Sequence, residues 1–162
     1  MADEHIATYL NDHLAGSVAA LELLEHLEAD NSGTPLERFF AELTADISAD
    51  RQELESLMSR LNVIKSRARR ASAWIAEKLT ELKLRIDDPA GGNLRLFESL
   101  EALSLGIEGK RALWLALAAA SEDEPSLKLV DYEHLERRAT EQRSRVETMR
   151  LEAARKALVP GT

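Results

Sequence analysis

Five polar residues, His13, Ser17, Asp50, Lys110 and Gln142, stand where helical periodicity calls for apolar ones. From Leu36 through Phe40, Leu43, Ile47, Asp50, Leu54 and Leu57 to Leu61 the intervals are those of a core-facing helix seam, and Asp50 lies on it. The same exercise puts His13 and Ser17 in the seam Ile6, Leu10, Leu21 or Ala20, Leu24, Leu27. Lys110 falls in Leu100, Leu103, Ile107, Trp114, Leu117, and Gln142 in Tyr132, Leu135, Ala139, Val146, Met149, Ala153. An unpaired carboxylate there is costly, so Asp50 is expected to form a buried ion pair with Lys110 or His13. Such a pair adds little net stability over apolar residues, yet losing one partner typically costs about 3–5 kcal/mol. Other chemistry is weakly supported. Ser17 and His13 are i,i+4 neighbours without an oxyanion donor set. Glu22 and His26 have chelating spacing, but Glu25 and Glu28 beside them make a solvated acidic face. His5 and His134 stand among Asp and Glu at helix beginnings, where surface roles are the default. No nucleophile motif, Gly-rich phosphate loop or Cys/His cluster with ligand spacing is present.

Long helices must hold these side chains. Ala, Leu, Glu and Arg dominate a 162-residue chain with 4% aromatic residues, 7 Gly and 4 Pro, a composition of helices rather than sheet. Breakers divide it into helices over about 3–29, 35–61, 66–86, 93–120 and 131–158, forming one domain over residues 1–162. Thr34 is the expected N-cap of the second, with Pro35 at its first position. Each long segment covers about 40 Å at 1.5 Å per residue. Short loops make the first two and the last two segments antiparallel hairpins. The stretch between Asn62 and Gly92 is long enough to run the length of a bundle and lay the second and fourth segments parallel. The expected fold is therefore all-α, an up-down-down-up four-helix bundle with an additional helix in the crossover. On these boundaries His13 and Asp50 fall at similar heights, with Lys110 about two turns away.

Charge and composition bound the function. The net charge of -8 argues against nucleic-acid binding, and the lack of an eighteen-residue apolar stretch against a membrane span. With no cysteine there is neither a disulfide framework nor a thiolate site. The opening MADEHIATYLNDHL has no signal-peptide pattern, and a cytoplasmic protein is expected.

The stretches YLNDHLAGSVAALELLEHL, ADISADRQELESLMSRL and FESLEALSLGIEGKRALWLAL, with their polar midpoints, resemble the ferritin-like superfamily, nearest its small bacterial stress-associated branch. That resemblance covers nearly the whole chain and implies a mid-bundle di-iron site built from Glu on two helices and Glu-x-x-His on the others. The sequence departs from it. Asp50-x-x-Glu53 lacks the histidine, and Glu141-Gln142-Arg143-Ser144-Arg145 holds no inward carboxylate and histidine pair. Lys110 brings an ammonium inward, while Glu108 is rotated from it by about 200°. The first reading is a non-catalytic, stress-associated bundle without a cofactor, a homodimer with a possible protein partner. The second is an altered iron or manganese site of His13, Asp50, Glu53 and Glu108, in a metal-binding or oxidoreductase bundle. The third is a small-molecule binder, which needs a pocket between helices.

Remaining features read as structure. Lys65, Arg67, Arg69 and Arg70 form a basic run at a helix start, mainly solvated surface with acidic helix ends as an alternative contact. Trp74 and Trp114 are expected anchors. Gly106 and Gly109 are expected to permit close helix approach. Glu133/Arg137, Glu141/Arg145 and Glu152/Lys156 are expected i,i+4 pairs.

Overall fold

The computed structural model describes residues 3–66, 77 and 92–159, which are all-helical apart from turns. Four α-helices pack against one another: α1 (Glu4–Asp30), α2 (Pro35–Arg60), α3 (Gly92–Ala120) and α4 (Tyr132–Leu158). Their bounds match the expected long segments to within one residue. Apart from Ser66 and Glu77, the expected crossover helix over 66–86 lies outside the described residues, as do Trp74 and the arginines of the basic run.

Local chemistry sets the helix ends. Asp3 accepts a 2.8 Å hydrogen bond from the His5 N–H to start α1, and Asp131 accepts one of 3.0 Å from the His134 N–H to start α4. Thr34 precedes Pro35 as expected, but its hydroxyl donates backwards to the Asn31 carbonyl. The α1–α2 turn is closed instead by Glu37, which accepts from the Gly33 N–H at 2.7 Å; Gly33 has φ +77°, where a side chain would be strained. Helix α2 ends in a Schellman motif: Asn62 takes φ 55°, Val63 N–H donates to Met58 O, and Asn62 N–H donates to Ser59 O. Between α3 and α4 a 3-10 turn, Pro125–Leu127, buries Leu127, whose carbonyl accepts from the Tyr132 hydroxyl at 2.9 Å.

Packing pairs α1 with α2 and α3 with α4, and each hairpin also touches the other through α1 with α3 and α2 with α4. Arg95, near the start of α3, binds Asp30 at the end of α1 at 2.5 Å. Arg60, at the end of α2, donates to the Leu129 carbonyl just before α4 at 3.3 Å. A single apolar core runs through all four helices, with Phe40, Leu43, Leu57, Leu100, Trp114 and Val146 almost fully enclosed. The α2, α3 and α4 seams face it as their periodicity predicts. Helix α1 is rotated from its expected setting: His13 and Ser17 are only half-buried, and the buried polar side chain on that helix is Asn11. No helix among the described residues is long and apolar enough to cross a membrane.

Candidate functional site

Asp50, Lys110 and Gln142 come from three different helices and close a hydrogen-bonded triangle. Lys110 Nζ donates to Asp50 Oδ2 at 2.5 Å and also to Gln142 Oε1, and Gln142 Nε2 donates to the same Asp50 oxygen at 2.8 Å. Asp50 is 1% exposed and Gln142 2%. The seam logic explains why each faces inward, and donor chemistry explains why they suit one another. A carboxylate only accepts and an ammonium only donates, while an amide does both and links them. The other Asp50 oxygen has Arg138 Nη2 at 3.1 Å, close enough for an ion pair but without hydrogen-bond geometry, so Oδ1 is buried with charge compensation alone.

Burial pushes the Lys110 ammonium below the usual lysine range, an effect that Asp50 opposes and Arg138 reinforces. One helical turn from Asp50, Asp46 is paired with Arg145. Two carboxylates of this layer therefore face three cations. Nearer the opposite end of α3, the buried Ser104 hydroxyl donates to Glu147 at 2.5 Å. The Arg150 guanidinium beside Glu147 is the main reason its carboxyl is held down to about 2, with Ser104 assisting against desolvation.

Beside the triangle lies a cleft of about 430 Å³ between α1, α2 and α3. Asp12, His13, Ser17, Asp50, Arg51 and Lys110 supply its polar lining, and Ile47, Leu54, Leu103, Ile107, Leu113 and Trp114 its apolar walls. Gly106 and Gly109 also line it. A Cβ on either glycine would meet nothing within 4 Å, so these glycines leave space and do not bring helices into contact, contrary to expectation. His13 stacks edge-on against Tyr9 at 4.7 Å between ring centroids, and burial lowers its pKa below the usual histidine value.

The candidate metal ligands are not brought together. His13 and Asp50 line one cleft, whereas Glu53 is exposed and Glu108 is engaged by Arg111 at 3.2 Å and Arg143 at 3.7 Å. Among the described residues no three His, Asp or Glu side chains converge closely enough to hold a metal ion. The donor set therefore does not fit iron or manganese. An ammonium bonded to the one deeply buried carboxylate among the described residues opposes a dication as well.

Other expectations shift by a turn or a helix. Lys110 touches Asp50 directly instead of lying two turns away, while His13 makes no hydrogen bond to either among the described residues. Ser17 donates to the Leu14 carbonyl at 2.7 Å and takes no part in the layer. Glu133/Arg137 and Glu152/Lys156 pair as expected, but Arg145 turns from Glu141 to Asp46 across the helix interface. Lys65 approaches Glu55 of its own chain at 3.4 Å. Arg138 and Asn11 were absent from the polar layer read in the sequence. Arg138 sits one turn before Gln142, a spacing that could have flagged it. Asn11 holds the chain leaving α2, donating to the Ile64 carbonyl at 3.1 Å and accepting from the Ser66 N–H at 2.7 Å. No protein family, curated protein or solved structure matches this chain.

Proposed function

We propose that the protein is a non-catalytic bundle of ferritin-like topology in which a structural ion-pair layer occupies the place of a metal site. The observation that carries this reading is the Lys110 to Asp50 contact at 2.5 Å, closed by Gln142. A cation supplied by the chain itself balances the one deeply buried carboxylate among the described residues, and of the other candidate ligands only His13 shares its cleft. The up-down-down-up order is supported by the side-chain pairings. Asp46 with Arg145, Asp50 with Gln142, and Arg60 with the Leu129 carbonyl run in opposite senses along α2 and α4. The Asp30 to Arg95 contact supports an antiparallel α3 and α1. A cytoplasmic homodimer with a stress-associated role and a protein partner belongs to the same proposal, and rests on composition and on the ferritin-like resemblance.

Elemental analysis of untagged protein, with thermal melts in ferrous and manganous ions, tests it. The expected result is substoichiometric metal and an unchanged melt. Near-stoichiometric iron or manganese with a metal-dependent rise in melting temperature overturns it, because a ligand bound to the native state raises stability by mass action.

A further inference from the structure

The cleft between α1, α2 and α3 has unmet chemistry that the ion-pair layer does not account for. Its volume of about 430 Å³ lies within the range of small-molecule sites, roughly 300–1,000 Å³. Its walls are mainly Leu, Ile and Trp side chains, and two of the residues that make the space are glycines whose Cβ positions are open. Two of its lining residues carry buried N–H groups without an acceptor: Trp114 Nε1 and Arg51 Nε. Trp114 is 1% exposed, so this indole N–H is among the groups that a buried interior ordinarily satisfies. Lys110 carries three ammonium protons and spends them on two acceptors, Asp50 and Gln142. Of the acceptors, Asp50 Oδ2 receives two hydrogen bonds, Oδ1 has Arg138 nearby but no hydrogen bond, and Asp12 lies on the exposed part of the lining. Two buried N–H groups and a third ammonium proton therefore stand against one buried carboxylate oxygen that has no hydrogen bond.

We propose that this cleft binds a small monocarboxylic acid with an apolar body. The hydrocarbon part would lie against Leu103, Ile107 and Leu113, in the space that Gly106 and Gly109 leave. The carboxylate would supply the acceptor oxygens that the buried N–H groups lack. The inference goes beyond the metal-free reading above and does not depend on it, since metal content and acid binding are measured separately.

Isothermal titration of the full chain with octanoate, with octanol and octylamine as neutral and cationic counterparts, tests the proposal. Octanoate is expected to bind saturably at one site per chain and to raise the melting temperature, at least about tenfold more tightly than either counterpart. That is the size expected from one hydrogen bond to a charged group. Gly106→Leu and Gly109→Leu should each fill the cleft and abolish binding while keeping a cooperative melt, and the two variants guard against one failing to fold. Trp114→Phe, which keeps a ring but removes the N–H, should weaken octanoate by several-fold without changing octanol. Absence of saturable octanoate binding overturns the proposal. So does octanol or octylamine binding as tightly as octanoate, or octanoate binding that survives in a folded cleft-filled variant.

Discussion

The Gln142 amide receives Lys110 Nζ on its oxygen and donates its nitrogen to Asp50 Oδ2, the same oxygen that Lys110 binds. The interior charge pair is therefore tied to a neutral group from a third helix, and the three cannot be removed piecemeal without stranding one of them. That arrangement changes what mutagenesis should show.

Asp50→Leu alone strands Lys110 and should cost about 3–5 kcal/mol. Asp50→Leu with Lys110→Met removes both charges but leaves the buried Gln142 amide without partners, so about 1–3 kcal/mol of loss should remain. Adding Gln142→Met should return the protein to near wild-type stability. Urea unfolding of the three variants checks the order, and a double variant as stable as the triple one contradicts the triangle.

Lys110 has a folded-state pKa below its unfolded value near 10.5, so between those values the unfolded chain binds the extra proton. Stability contributed by this group therefore rises with pH across that window. The stability of wild type relative to Lys110→Met should increase as pH is raised towards 10.5, read from paired urea midpoints.

Glu147 has the opposite sign. Its carboxyl, ordinarily near 4.5, is held down to about 2 by Arg150 and Ser104, so its contribution is fully present above 4.5. The advantage of wild type over Glu147→Gln should shrink as pH falls from 4.5 towards 2. Paired acid titrations followed by circular dichroism measure it.

Gly106→Ala and Gly109→Ala each add a methyl group where nothing lies within 4 Å, on helical backbone. Each should stabilise by about 0.5–1 kcal/mol through helix propensity, or a rise of roughly 1–4 °C in melting temperature for a chain of this size. A fall in melting temperature at either position would restore the close-approach explanation.

Asn11 ties α1 to the segment leaving α2 through Ile64 and Ser66. Asn11→Leu should destabilise by about 1–3 kcal/mol, because the Ser66 N–H and Ile64 carbonyl lose their partner. Hydrogen exchange supplies the specific readout: the Ser66 amide should lose protection more than amides in the middle of α2.

Periodicity in the sequence determined the four long helices, the burial of Asp50, Gln142 and Trp114, and the existence of a polar layer in the interior. These follow from local rules, since a seam at 3.6 residues per turn assigns each side chain an angle around its own helix. Tertiary structure decided what that angle leaves open: the axial offset and rotation of one helix against another. A shift of about two turns brings Lys110 onto Asp50, and a rotation of α1 buries Asn11 in preference to His13. Long Arg and Lys stems then reach partners beyond their own helix, which is how Arg138 meets Asp50 and Arg145 leaves Glu141 for Asp46. The cleft beside Gly106 and Gly109 belongs to the same category. Empty space is a property of three helices at once, and no residue type or spacing within one helix encodes it.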